Sequence, residues 1–179
     1  MKTALLVIDV QKALFDRLPR PYEADAVISR INVLAEKARA ASVPVFFVQH
    51  EKPGTPVERD SEGWKLPDNL AARGDDLRIG KTSPDAFLQT ALHETLQSRQ
   101  IKHLVICGYA SEFCVDTSTR RALGLGYNVT LVADAHTTHD KSHASGEQIR
   151  RHHNATLPGL AIAFEAQIAA VPSQDISFS

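Results

Sequence analysis

Cys114 is the residue whose setting in this sequence most suggests chemistry. It follows the apolar run "LVICGY" and lies where a helical pattern over 112–126 begins. If Ser111 caps that helix, Cys114 lies in the first turn, where free backbone N–H groups and the helix dipole favour an anion. This setting lowers a thiol pKa and favours the nucleophilic thiolate. A small buried hydrophobe is the alternative role for a free cysteine, and that role fits Cys107 within "LVIC".

An acid and a cation occupy comparable positions elsewhere in the sequence. Asp9 ends the apolar stretch "LLVID", where a charge is costly unless it is paired or used. Lys81 follows the short run "LRIG". Taken singly, Asp9 fits an acceptor for loop N–H groups, and Lys81 fits a solvated surface lysine. Taken together with Cys114, they supply a possible base, an electrostatic partner and a nucleophile.

The sequence pattern predicts a fold that brings these residues together. Short apolar runs alternate with longer amphipathic stretches, which indicates a parallel sheet covered by helices on both faces. The predicted strands span 4–9, 44–49, 77–80, 103–108, 128–133 and 160–165, and the predicted helices span 25–41, 84–99, 112–126 and 142–153. The pattern therefore predicts an α/β fold with six strands.

The predicted sheet indicates where a ligand would bind. In open parallel sheets, ligands bind beyond the carboxyl ends of the strands, at the point where strand order reverses. Asp9 ends a predicted strand, and His50, Lys81 and the segment through Cys114 each follow one, so we expect them at one edge. The long irregular stretch 50–76 contains the only tryptophan, Trp64, and its length predicts a functional surface loop.

The composition narrows the class of protein. A single domain spanning 1–179 accounts for the 179 residues. The formal net charge is -1 without a basic stripe, so we expect no nucleic acid and no membrane as partner. The N-terminal "ALLVID" reaches Asp9 too early for a signal peptide or a spanning helix. We therefore predict a cytoplasmic protein in which Cys107 and Cys114 are free thiols.

Four motifs carry a family resemblance. The ordered set "LLVIDVQ", "GKTSPDAF", "LVICGYASEFCVDTSTRRALGLGYNVTLVADAHTT" and "HHNATL" resembles the isochorismatase-like cysteine hydrolases over nearly the whole chain. The resemblance implies a catalytic triad of Asp9, Lys81 and Cys114. It also implies a non-proline cis peptide at Tyr109–Ala110 and an oxyanion hole formed by the backbone N–H groups of Ala110 and Cys114. The implied fold is a three-layer α/β/α sandwich with a mostly parallel, Rossmann-like six-stranded sheet, and the implied assembly is a homodimer or homotetramer.

Departures from the family pattern narrow the expected activity. Nicotinamidases carry a metal-binding D-x-H after the second strand, whereas this chain has "VQHEKPG", with His50 but without that spacing. Isochorismatases proper cleave a vinyl ether and typically have a small residue where Cys114 stands. We therefore expect hydrolysis without a metal or another cofactor. His136, His139 and His143 have no fixed acidic partner in sequence, so we expect no metal site there.

The sequence thus predicts hydrolysis of a C–N bond in a small amide-like molecule through a thioester on Cys114. Two alternatives stay open: vinyl-ether hydrolysis of the isochorismatase type, with Asp9 as the acid, and a reactive-thiol binding or redox module without turnover. The expected partner is a small-molecule substrate. Its candidate pocket residues are Phe15, His50, Trp64 and Phe113.

Overall fold

A computed structural model of the chain describes residues 1–178, so that Ser179 of the predicted domain lies outside the described residues. The strands found within these residues are β1 (Thr3–Ile8), β2 (Val45–His50), β3 (Leu77–Lys81), β4 (His103–Tyr109), β5 (Asn128–Thr137) and β6 (Ile168–Val171). They form one sheet in the order β3-β2-β1-β4-β5-β6, and every neighbouring pair is parallel. The predicted six-stranded α/β fold is confirmed.

Helices cover both faces of the sheet. They are α1 (Lys12–Phe15), α2 (Ala24–Ala40), α3 (Leu92–Ser98), α4 (Asp116–Gly124) and α5 (Gly146–Thr156). Successive side chains of a strand point to opposite faces, so the central strands contribute to two cores. Leu6 and Ile106 pack with α3 and α4, whereas Leu5 and Val105 pack with α2. The result is a three-layer α/β/α sandwich. Within residues 1–178, no helix combines the length and apolar character needed to cross a bilayer.

The prediction of the sixth strand at 160–165 is wrong. This apolar stretch lies in and just after a 3₁₀ helix, Leu157–Ala163, in which Ile162 is 95% exposed. The observed β6 comes later and pairs with β5 from Val129↔Ile168 to Val132↔Val171. Hydrophobic periodicity does not separate a short strand from a short helical segment, which is why "LAIAF" looks like a strand in sequence.

The predicted helix 84–99 is also only partly correct, because its first half forms turns. Asp85 Oδ1 accepts a hydrogen bond from the Phe87 N–H at 2.8 Å, and Thr90 Oγ1 accepts one from the Leu92 N–H at 3.3 Å. Such side-chain acceptors compete with the helical hydrogen bonds of the backbone. Helix α3 therefore begins only at Leu92. The other three predicted helices are present, with their ends shifted by a few residues.

The strand order explains where the candidate site forms. It reverses between β1 and β4, which lie side by side at the centre of the sheet. Gly108 in β4 has φ +118°, and a Cβ atom there would overlap the Ile8 carbonyl oxygen of β1. Only glycine permits this close approach of the two strands. Asp9 follows β1 and Cys114 follows β4, so both lie at the switch point where such sheets bind ligands.

Candidate active site

Asp9 places a buried carboxylate directly after β1, with 2% of its surface exposed. Its φ of +50° is a left-handed conformation that aspartate tolerates better than most residues, and its N–H donates to the Val48 carbonyl at 2.8 Å. The carboxylate oxygen Oδ2 accepts a hydrogen bond from Lys81 Nζ at 2.8 Å. The other oxygen, Oδ1, has no hydrogen-bond partner among the described residues. Asp9 therefore has one oxygen free to accept a proton.

Lys81 is a buried cation at the end of β3, and its side chain is 0% exposed. Its Nζ donates to Asp9 Oδ2 at 2.8 Å, to the Ser83 carbonyl at 3.0 Å and to His50 Nδ1 at 3.1 Å. It also lies 3.3 Å from Cys114 Sγ. Because an ammonium group has only three N–H bonds, these four acceptors share them. Cys114 Sγ thus lies within hydrogen-bonding distance of the cation.

Cys114 lies in a single π-helical turn, Ser111–Val115, which precedes α4. The expected cap by Ser111 is wrong, because Ala110 occupies the N-cap position. The Ser111 hydroxyl is buried and bonds instead to His136 Nδ1 at 2.8 Å. A π turn inside or beside an α-helix often marks a functional site. Here it directs a half-buried thiol towards Asp9 and Lys81.

The expected lowering of the thiol pKa is not observed at Cys114. Burial and the Asp9 carboxylate raise the pKa of Cys114 to about 12, although Lys81 acts in the opposite direction. The resting site therefore contains a neutral thiol beside a carboxylate and an ammonium group. Burial alone raises the pKa of Cys107, which is 0% exposed within β4 and packs in the core. Both cysteines are free thiols, as predicted.

His50 ends β2 and is held from both sides. The buried side chain of Gln11 accepts a hydrogen bond from the His50 N–H at 2.9 Å and donates one to its carbonyl at 3.1 Å. In the parallel register of β2 and β3, His50 lies opposite Lys81. Burial and the Lys81 cation lower the pKa of His50. The ring is therefore a fixed, neutral imidazole next to the thiol and the carboxylate.

The segment before Cys114 carries the two backbone N–H groups named for the oxyanion hole. The Tyr109–Ala110 peptide is cis. The Ala110 carbonyl accepts hydrogen bonds from the N–H groups of Phe113 and Val115 at 3.0 and 3.1 Å, whereas the Cys114 N–H between them does not donate to it. The Ala110 N–H makes no hydrogen bond within residues 1–178. The first amide thus immediately precedes the turn that carries the sulfur atom, and the second lies within it.

A cavity of about 240 Å³ opens beside these groups. Its walls are mostly apolar, and they are formed by Asp9, Leu14, His50, Val57, Pro84, Tyr109, Ala110, Phe113 and Cys114. The predicted pocket residues His50 and Phe113 are part of this lining. Leu14, Val57 and Pro84 are not in the predicted set, because a single apolar residue in a short helix or loop gives no sequence signal.

Phe15 and Trp64 do not line this cavity, so their assignment to the pocket is wrong. Phe15 is 0% exposed and belongs to the core on the α2 side, with its ring centroid 6.0 Å from that of Tyr109. Leu14, the residue before Phe15, lines the cavity instead. Trp64 contributes through its carbonyl, which accepts hydrogen bonds from Gln11 and Gln49. Trp64 therefore fixes the loop, and Val57 of the same loop provides the wall.

One group of side chains has the spacing of a metal site. Asp9, His50 and Cys114 offer ligand atoms that all lie within 4.8 Å of one another. Lys81 Nζ, however, is 2.8 Å from Asp9, 3.1 Å from His50 and 3.3 Å from Cys114. A metal ion held by these three side chains would lie close to this buried ammonium group. The donor set therefore fits the lysine cation better than a metal ion.

The remaining histidines have other roles in the structure. His136 is 0% exposed, and its ring bonds to Ser111 and, at 2.9 Å, to Asn154 Oδ1. His139 Nδ1 bonds to the Tyr109 hydroxyl at 2.8 Å. In the part of the chain that the structure describes, these two residues and His143 belong to no group of three possible metal ligands.

Comparison with known proteins identifies the relatives of the chain. Residues 3–157 match the isochorismatase domain family. An uncharacterised isochorismatase family protein of Escherichia coli O157:H7 is 34% identical over 173 residues, which cover 89% of each protein. A streptothricin hydrolase of Streptomyces noursei is 36% identical over 138 residues, which cover 76% of this chain and 50% of that protein.

A solved structure shows the same fold. The crystal structure of an isochorismatase family protein superimposes with a TM-score of 0.83 at 33% sequence identity. The superposition covers 95% of this chain and 98% of the other. The similarity therefore includes both halves of the sheet and the switch point between β1 and β4.

Proposed function

This chain belongs to the isochorismatase family, and from that premise we propose a metal-independent cysteine hydrolase that cleaves a C–N bond of a small amide-like molecule. The observation that carries the proposal is that Asp9 and Cys114 line one cavity while Lys81 contacts both of them. Lys81 Nζ contacts both Cys114 Sγ and Asp9 Oδ2, and Asp9 Oδ1 is free to accept a proton. A nucleophile, a base and a fixed cation are the parts that acyl transfer requires.

The first half of the proposed reaction forms a thioester. Asp9 accepts the thiol proton of Cys114 while the sulfur atom bonds to the amide carbonyl carbon. The backbone N–H groups of Ala110 and Cys114 donate to the carbonyl oxygen as it becomes an oxyanion. Asp9 then passes the proton to the amide nitrogen, the C–N bond breaks, and ammonia or an amine leaves.

The second half returns the enzyme to its resting state. Asp9 accepts a proton from water as the water oxygen bonds to the thioester carbon. The carbon–sulfur bond then breaks, the carboxylic acid product leaves, and Cys114 regains its proton from Asp9. Throughout the cycle, Lys81 stays between the two groups that exchange negative charge, because it contacts both Asp9 Oδ2 and Cys114 Sγ.

Metal independence is supported by the position of the Lys81 ammonium. Its nitrogen lies within 3.3 Å of each side chain of the candidate ligand set. The cation supplies the positive charge that a metal ion would otherwise supply next to the nucleophile. The reaction written above also needs no Lewis acid, because backbone N–H groups receive the oxyanion.

The test is ammonia release from a panel of small primary amides. Cys114→Ala should lower the rate by at least about a thousandfold, because the nucleophile is lost. Cys107→Ala is the matched control, since Cys107 lies in the core and not in the cavity. Mass spectrometry of quenched reactions should show the acyl group on Cys114. Ammonia release that persists in Cys114→Ala would refute the proposal, and cleavage of a vinyl ether by that variant would favour the ether-hydrolase alternative.

We further propose that the protein works in the cytoplasm as a homodimer or homotetramer. The two free thiols suit a reducing compartment. Light scattering coupled to size-exclusion chromatography tests the assembly, and a monomeric mass at micromolar concentration would contradict it.

A further inference from the structure

The hydrogen bonds around His50 fix its tautomer. Lys81 Nζ lies 3.1 Å from Nδ1 of the ring. An ammonium group donates hydrogen bonds and cannot accept them, so Nδ1 must be the unprotonated nitrogen. The proton of the neutral ring is therefore on Nε2. A protonated Nδ1 would instead point an N–H at a cation.

The Nε2–H group is a free side-chain donor of a residue that lines the cavity. His50 lines the cavity, and no residue within 1–178 accepts a hydrogen bond from its Nε2. The Tyr109 hydroxyl, another neutral side-chain donor in the lining, is already bonded to His139 at 2.8 Å. A ring nitrogen of His50 and the sulfur atom of Cys114 lie within 4.8 Å of each other. A small molecule attached to the sulfur atom can therefore reach His50.

The lining offers no cation to an anionic substrate. Its one formally charged member is Asp9. The N–H bonds of Lys81 are already shared among Asp9, Ser83, His50 and Cys114. At the rim, Lys141 lies 5.6 Å from the centroid of the Phe113 ring and pairs with Glu112 at 3.2 Å.

Other charged residues close to His50 give no free cation at the cavity either. Glu51 is 3.8 Å from Arg59, and Lys52 is exposed. Neither Lys52 nor Arg59 belongs to the cavity lining. A carboxylate inside the cavity would thus meet the negative charge of Asp9 without a partner of its own, which is costly in an apolar cavity.

From this geometry we infer that the substrate is a small uncharged amide with a second hydrogen-bond acceptor, which the Nε2–H group of His50 binds. The inference rests on the proposed function and adds the substrate class to it. The scissile carbonyl lies against Cys114, the second acceptor lies against His50, and the apolar part packs on Leu14, Val57 and Phe113. His50 is thereby a specificity-determining residue.

Three probes of equal heavy-atom number test this substrate class. Succinamide is uncharged and has a second carbonyl, 4-methylpentanamide replaces the second amide with an isopropyl group, and succinamate replaces it with a carboxylate. We expect kcat/KM per scissile amide for succinamide, which has two equivalent amides, to exceed that for each of the other two by about fivefold or more, the effect of one hydrogen bond. Equal values, or a preference for succinamate, would overturn the inference.

The variants His50→Leu and His50→Gln isolate the hydrogen bond. Because His50 also contacts Lys81, His50→Leu should lower the rates for all substrates together. The ratio of kcat/KM for succinamide to kcat/KM for 4-methylpentanamide within one variant cancels that common loss. We expect this ratio to fall to about two in His50→Leu, the statistical value for the two equivalent amides of succinamide, and to recover partly in His50→Gln, which keeps a donor. A ratio that survives in His50→Leu contradicts the assignment of His50.

A binding measurement separates this inference from the proposed function. In the Cys114→Ala protein, calorimetric titration needs no turnover, and succinamide should bind more tightly than succinamate or 4-methylpentanamide. The absence of that order, or of succinamide binding at millimolar concentration, refutes the substrate class and leaves the hydrolase proposal intact. A different result would refute the hydrolase proposal: ammonia release that does not depend on Cys114.

Discussion

Acidification should destabilise the protein through the buried imidazole of His136. The ring is 0% exposed and is held between Ser111 and Asn154. Because Asn154 Nδ2 donates to the Ala133 carbonyl, its Oδ1 accepts from His136 Nε2–H, and Nδ1 accepts from the Ser111 hydroxyl. A second proton, on Nδ1, would reverse the direction of the bond to Ser111 and place a positive charge in a buried site. Burial is the main cause that lowers the pKa of His136 from 6.5 to about 4.

The sign and size of the effect follow from linkage. Between pH 6.5 and 4 the unfolded chain protonates this histidine while the native state does not, so the native state loses stability as the pH falls. A shift from 6.5 to about 4 corresponds to about 3 kcal/mol in the free energy of unfolding. The stabilisation is complete above pH 6.5 and is lost once the pH reaches about 4.

Urea denaturation at a series of pH values measures this loss, with His136→Gln as the perturbation. The variant cannot titrate at this position, so the stability difference between wild type and variant should shrink by about 3 kcal/mol from pH 7.5 to 4. The other titratable groups contribute equally to the stability of both proteins, so their contributions cancel in the difference. His152→Gln, at an exposed position, is the matched control and should leave the pH dependence unchanged. A wild-type-to-His136→Gln difference that stays constant over this range refutes the reasoning.

Three further predictions concern the site and the strand contact that supports it. The rate of alkylation of Cys114 by iodoacetamide should be low at neutral pH and rise about tenfold per pH unit. Asp9→Asn should accelerate alkylation while abolishing turnover, and Lys81→Met should slow alkylation. Cys107 should react only after unfolding. The hydrolytic rate should survive prolonged chelation, and a lost rate that zinc or manganese restores would contradict metal independence. Gly108→Ala should cost at least about 2 kcal/mol of unfolding free energy, because its Cβ overlaps Ile8, whereas Gly74→Ala, with open space at its Cβ, should cost little.

The convergence of Asp9, Lys81 and Cys114 follows from the sequence because each comes at the end of a strand. Parallel strands end at one edge of the sheet, so three separate sequence positions become neighbours whatever the exact strand boundaries are. The error at 160–165 does not affect this result, since β6 lies at the far edge of the sheet from β1. The predicted position of the site is therefore more robust than the predicted elements that build it.

The chemistry of the site is harder to predict because it depends on distances and burial. The contact between His50 and Lys81 requires the register of β2 on β3, which no local pattern specifies. The raised pKa of Cys114 depends on how deeply the π turn buries it and on the position of Asp9. A helix N-terminus read from sequence predicts the opposite direction, because it includes the helix dipole and omits burial and the nearby carboxylate.

A thiol whose pKa is raised to about 12 can still act as the nucleophile, because the relevant proton transfer stays inside the site. Loss of the proton to solvent would leave two buried anions, on Asp9 and Cys114, beside one cation. Transfer to Asp9 instead moves one negative charge from oxygen to sulfur and leaves the net charge of the site unchanged. Lys81 Nζ is 2.8 Å from the first atom and 3.3 Å from the second, so it stabilises the anion before and after the transfer. The burial that disfavours a free thiolate therefore opposes the internal transfer much less.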